Sequence, residues 1–335
     1  MTFVLVAGST ATATIDGISA AGANPDRTYH TPAADLELVT YGRPVFTDVV
    51  PMSPTGCPTP AVITRAVRDL LAFETVAIEA GLTVDTAAPI VQVGDQAGAD
   101  IREAEAVPDA RQIFDRARAV GRTFSNDAVS IGESVPGGTT TALGVLRALG
   151  EPYGVSSSLP ENPLGRKGAV VDTALEASGI AAGEAAEDPL RAVRLVGDPV
   201  MPAVMGVAAG AIDTGVDVTL AGGTQMVAVA ALLRHLGVDA DLALATTVFV
   251  DEDTDDLREA TDAFGLDLTV TDPGFETTDH VAMQQYCQGE AKEGVGMGGA
   301  LALAAESDVS MRDVRGQIES VYGNLTDTGG AIDGA

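Results

Sequence analysis

Four short stretches of the chain hold residues whose types and spacing could do chemistry. The first, GESVPGGTTTAL (132–143), sets Glu133 four residues ahead of the pair Gly137–Gly138 and a run opening Thr139–Thr140. A G-x-x-x-x-G-K-[ST] loop would need lysine where Gly138 stands. The backbone can still cradle a phosphate, because a helix starting near Thr139 aims free N–H groups and the positive end of its dipole into the loop. The side chain that neutralises a triphosphate is missing, and a carboxylate at Glu133 is unwelcome beside one. The stretch reads as a holder for a single phosphate next to chemistry that wants an acid, and it argues against a P-loop NTPase.

The second stretch, ENPLGRKGAVVDTAL (161–175), contains Lys167, one of only two lysines in the chain. A lysine kept at a loop-to-helix junction suits a phosphate. In VDVTLAGGTQMVAVAALL (216–233), Gly222 and Gly223 would let a ligand approach the backbone closely. The fourth, GEAKEGVGMGGALALAAES (289–307), carries Lys292 and Glu293 into a glycine series that includes Gly294 and Gly296. A lone carboxylate entering an apolar, glycine-lined pocket has its pKa raised by desolvation and suits proton transfer near neutral pH. Each stretch alone also reads as ordinary structure: a threonine-capped turn, a surface lysine, a tight strand–helix corner, an exposed capping glutamate.

The elements that must position these groups follow from the apolar runs. Strands are expected at 2–8, 88–94, 128–132, 153–157, 217–222, 242–249 and 266–271, without polar alternation, as for strands covered on both faces. Helices are expected at 60–81, 110–121, 139–150, 166–179, 201–215, 223–237 and 254–265, several of them stopped by glycine. Residues 23–36 and 94–108 read as acidic loops, and the final TDTGGAIDGA as a frayed end. Alternating β and α over this length implies an α/β fold with a doubly wound, mostly parallel sheet flanked by helices, in one catalytic domain spanning 1–335. Ligands then bind at the carboxyl ends of the strands, where the glycine-rich turns lie.

Composition narrows the partners. The formal net charge is −29, from 48 Asp+Glu against 19 Lys+Arg, spread along the chain. Such a surface repels nucleic acid and anionic membranes. With lysine nearly purged, it resembles the cytosolic proteins of extreme halophiles. Two cysteines and three histidines without ligand spacing offer neither a disulfide framework nor a metal cluster, so no metal and no cofactor are expected. The apolar start, MTFVLVAGST, is too short to span a bilayer and reads as a first strand, so a cytoplasmic protein is expected.

Taken in order, the four stretches resemble the nicotinate-nucleotide–dimethylbenzimidazole phosphoribosyltransferases of cobalamin assembly. GESVPGGTT (132–140) is similar to that family's GEMGIGNTT, and Lys167 to a lysine opening the next helix. AKEGVGMGGALAL (291–303) is similar to LGEGTGAALAL, and VGDPVMPAVMG with VTLAGG to GGFEIAAMAG and LDGF. VLVAGSTATATIDGIS (4–19) is similar to VFAGDHGVAAEGVS. The resemblance implies Glu293 as catalytic base and Glu133 as a second active-site carboxylate, with residues 137–140 and Lys167 on the nucleotide phosphate. Ser19 would lie near the incoming base. A homodimer is also implied, as is a small helical appendage that includes 280–325. Departures occur at Ser9-Thr10-Ala11, at Ala221, at Val200 and at Glu290, where the family has Asp-His-Gly, Asp, Glu and Arg; Lys292 is the nearest cation to the last. These positions surround the substrates and leave the acceptor base open.

Displacing a pyridinium ring from ribose C1′ needs no metal and no general acid, because the leaving nitrogen departs neutral. It needs a deprotonated azole, a fixed 5′-phosphate and aligned attack. The resemblance therefore implies transfer of a phosphoribosyl group from nicotinate mononucleotide to 5,6-dimethylbenzimidazole or a related base. The competing readings are a transferase for another base such as adenine, and a nucleotide-binding regulator without turnover.

Overall fold

The structure, a computed structural model, describes residues 1–19, 25–47, 49–53 and 55–327. Seven strands form one sheet: β1 (Thr2–Ala7), β2 (Glu74–Glu79), β3 (Ile90–Gln92), β4 (Ala128–Ser134), β5 (Asp217–Ala221), β6 (Leu242–Thr247) and β7 (Leu266–Thr271). Their order is β3-β2-β1-β4-β5-β6-β7 and every pairing is parallel. The chain thus winds outward in two directions from β1 and β4. The crevice at that reversal, beyond the carboxyl ends, is where such sheets take ligands. Strand β1 is buried along its whole length, which its unbroken apolar run TFVLVA requires.

Helices cover both faces. They are α1 (Pro25–Thr28), α2 (Thr31–Tyr41), α3 (Ala61–Leu71), α4 (Ala110–Gly121), α5 (Gly138–Leu149), α6 (Leu164–Ser178) and α7 (Pro189–Val196), then α8 (Val200–Asp213), α9 (Thr224–His235), α10 (Val248–Asp253), α11 (Leu257–Ala263), α12 (Val281–Cys287), α13 (Met297–Ala305) and α14 (Met311–Asp327). Val4, Val6, Val129, Ile131, Val218 and Leu220 point to one face, into a core shared with α4 to α9. Phe3, Leu5, Ala7 and Ala221 point to the other, against α2, α3, α12, α13 and α14. The helices from residue 281 onward thus pack on the second face beside α3, and α13 reaches across to β5, β6 and β7.

Several expected elements differ. The helix expected at 60–81 is α3 followed by β2, because the helix stops at Ala72, a non-glycine residue at φ 54° that gives no stop signal in the sequence. Residues 153–157 are not a strand; side chains hold them rather than a ladder. Of the loop expected at 23–36, residues 23–24 lie outside the described residues, and α1 and the first turns of α2 occupy 25–36. The strand expected at 242–249 ends at Thr247, where α10 begins, and the helix at 254–265 shortens to α11. Of the expected frayed end, α14 takes in Thr326 and Asp327, and 328–335 lie outside the described residues. No described helix is long and apolar enough to cross a membrane.

Candidate active site

A cavity of about 160 Å³ opens at the carboxyl end of β4, between the segments that follow β4 and β5. Of the residues singled out from sequence, Ser19, Glu133, Gly137, Gly138, Thr139, Gly223, Glu293 and Gly294 line it. Thr140, Lys167, Gly222, Lys292 and Gly296 stand behind its walls.

Two helices begin at this cavity. Gly137 caps α5 at φ 81° and Gly223 caps α9; neither helix start carries a side-chain cap. The first N–H groups of a helix have no intrahelical acceptor, so both starts turn positive dipole ends toward the cavity, a place suited to an anion. Gly138 has a local cause. A Cβ there would lie 2.0 Å from Gln225 Oε1, so any side chain at 138 requires the glutamine amide of α9 to swing away.

Glu133 enters from the penultimate position of β4, where it pairs in register with Val6. It is buried, and desolvation, reinforced by the Asp198 and then the Asp35 carboxylate, pushes it up to about 8. Glu293 arrives from the opposite wall. The Gly298 N–H, in the first turn of α13, donates to both its oxygens at 2.9 and 3.0 Å. Its Cβ and Cγ sit 3.6 and 3.7 Å from where a Gly223 Cβ would be, so it leans over the glycine floor. Burial, with Glu133 adding to it, raises Glu293 well above the carboxylate range. Burial thus favours the protonated form of both carboxyl groups.

The Glu293 loop is strained and tied down. Ala291, Lys292 and Val295 are at φ 58°, 60° and 54°, in the left-handed region. Such conformations cost ~1–3 kcal/mol each and persist only where neighbours fix them. Here the Val295 N–H donates to Glu133 O (2.7 Å), Thr64 Oγ1 to Val295 O (2.9 Å) and Thr247 Oγ1 to Lys292 O (2.7 Å). A Gly132 Cβ would stand 2.6 Å from Gly296 Cα, so the two glycine stretches meet backbone to backbone.

The lysines do not face the cavity. Lys167, fully buried in α6, donates to Thr139 Oγ1 (2.9 Å) and Ser156 O (2.7 Å), and burial lowers it to about 7. Lys292 donates to the carbonyls of Ser157 and Leu159, both at 2.7 Å. They reach the cavity through the wall formed by Ser156, Ser157 and Ser158. Glu290 anchors the opposite rim by accepting from Ser53 Oγ and Thr55 Oγ1, each at 2.7 Å.

Sequence reasoning missed three further groups. Asp35 accepts from Thr59 Oγ1 and Ser134 Oγ at 2.7 Å, and burial pushes it up to about 7. Asp198 accepts from Thr141 Oγ1 at 2.5 Å and from the Val200 and Met201 N–H groups, and burial pushes it up to about 6. Gln225 donates to Asp198 at 3.5 Å. The two acids carry a usable signal: each interrupts an otherwise apolar run, where an acid is buried only if paired.

No protein-family model matches the chain. A UPF0284 protein from Halobacterium salinarum is 56% identical over 325 residues, covering 96% of this chain and 97% of its own. One from Methanothermobacter thermautotrophicus is 42% identical over 335 residues, covering 96% and 92%. Among solved structures, the nicotinate-nucleotide–dimethylbenzimidazole phosphoribosyltransferase of Thermus thermophilus superposes with a TM-score of 0.62 over 96% of this chain and 82% of that one, at 17% identity. That likeness is one of fold, and it matches the parallel sheet derived above. The relatives that share both sequence and length assign the chain itself: it belongs to the UPF0284 family.

Proposed function

We propose that this protein transfers a phosphoribosyl group from nicotinate mononucleotide to 5,6-dimethylbenzimidazole or a related flat base. The observation that carries this reading is the pair Glu133 and Glu293, buried together over a glycine floor between two uncapped helix starts. The α5 and α9 starts and the Ser156–Ser158 wall receive the 5′-phosphate. The pyridinium ring brings a positive charge between two carboxyl groups, which favours their ionised forms. Glu293, made strongly basic by burial, then takes the azole proton. Glu133 stabilises the cationic character that develops at C1′ as the neutral ring leaves. Pro51, Met52, Cys57, Pro58 and Pro60 offer the acceptor an apolar slot, which suits a benzimidazole. The assembly is a homodimer.

The test is made in molar salt, with nicotinate and α-ribazole phosphate followed by chromatography and adenine run as competing acceptor. Wild type releases nicotinate. Glu293→Gln keeps its fold and loses ~10²–10⁴-fold in turnover, the usual worth of general-base help. Binding of the mononucleotide without nicotinate release, and with Glu293 dispensable, would leave a nucleotide-binding regulator as the better account.

A further inference from the structure

Residues 154–159 pair with no strand, yet side chains hold them at many points. Asp256 accepts from the Gly154 N–H at 2.7 Å, Thr224 Oγ1 from the Ser156 N–H at 3.0 Å, and Asn162 donates to Val155 O at 2.7 Å. The Ala291 N–H donates to Ser158 O at 3.0 Å. The carbonyls of Ser156, Ser157 and Leu159 all go to the two lysine ammonium groups. Those ammonium groups are withdrawn from water and repel one another, an arrangement that needs a counter-charge.

Asp253, the last residue of α10, supplies it. Its Oδ1 lies 3.3 Å from Lys292 Nζ, and its Oδ2 accepts from the Ser157 N–H at 3.2 Å. It also favours the charged form of Lys167. It does not line the cavity.

The geometry points to Asp253 as a positioning residue: by pairing with Lys292 and accepting from the Ser157 N–H it keeps the backbone of Ser156–Leu159 turned outward, so that the serine wall faces the cavity in the shape that receives a phosphate. This rests on the phosphoribosyl reading of the site. Without Asp253 the lysines face each other unneutralised, and the carbonyls they hold lose their fixed donors.

Affinity for nicotinate mononucleotide and for nicotinate riboside, which lacks the phosphate, is measured by calorimetry on wild type, Asp253→Asn and Asp253→Glu. Wild type prefers the mononucleotide. Asp253→Asn weakens the mononucleotide by roughly tenfold or more, the scale of one hydrogen bond to a charged group, and leaves the riboside unchanged. Asp253→Glu restores most of the preference, and in turnover Asp253→Asn raises KM while holding kcat. Both ligands are read on the same folded sample, so a general loss of stability moves both affinities rather than their ratio. An unchanged ratio in Asp253→Asn, or a wild type indifferent to the phosphate, overturns the proposal. A wild type that keeps the preference but releases no nicotinate overturns the transferase reading alone.

Discussion

At the scale of single residues, the site is a set of acids whose hold on their protons burial strengthens. Glu133 shows the sign. Its folded value of about 8 lies above the ordinary 4.5, so its contribution to stability is fully present below about 4.5 and is lost as pH rises through about 8. A tenfold change in proton affinity on folding corresponds to about 1.4 kcal/mol. Glu133→Gln removes that loss, so thermal melts should show the variant gaining on wild type from pH 5 to pH 9. Lys167 runs the other way: lowered from 10.5 to about 7, it favours the fold above 10.5 and loses that contribution as pH falls through about 7. Lys167→Met, which removes the charge, should therefore gain on wild type as pH falls from 10 to 6, in the same melts.

At the scale of elements, two glycines decide how closely the motifs meet. Gly132→Ala drives a methyl group to 2.6 Å from Gly296 Cα, with backbone on both sides. Denaturant titration should show a loss of about 1–3 kcal/mol, the range for overpacking. Gly165 in α6 has nothing within 4 Å of a Cβ, so Gly165→Ala should gain about 0.5–1 kcal/mol in the same assay. Much of this level was legible beforehand. The buried strands β1, β4 and β5 announce themselves as apolar runs closed by turns, and the Glu133 and Glu293 stretches as acids beside glycines. β2 was not legible, because ETVAIE continues the apolar pattern of α3 with no glycine or proline between them. YGVSS has the composition of a strand, yet its partners are Asp253, Asp256, Thr224 and the lysines, and contacts that distant leave no local pattern. Helix α7 was readable from Asp188, which caps it, and Pro189 in its first turn.

At the scale of the whole molecule, charge governs behaviour. Net charge −29 makes the compact state repel itself, and few of the pairs that offset it, such as Arg118–Asp213 and Arg116–Asp95, are sheltered from water. The Debye length falls from about 10 Å at 0.1 M salt to about 3 Å at 1 M. The melting temperature should therefore rise between 0.1 M and 2 M KCl; a flat or falling curve would show that the surface pairs outweigh the repulsion. The fold also sets an order of events. Glu293 reaches Glu133 only when the backbone near Gly296 settles against Gly132 and Phe3, which come from the middle and the very start of the chain. A polypeptide growing from its amino end has β1, β4 and β5 available long before that loop is made. Any nascent chain stopped short of Glu293 therefore carries Glu133 without its partner, an open floor and half a site, so synthesis itself withholds competence until that loop is made.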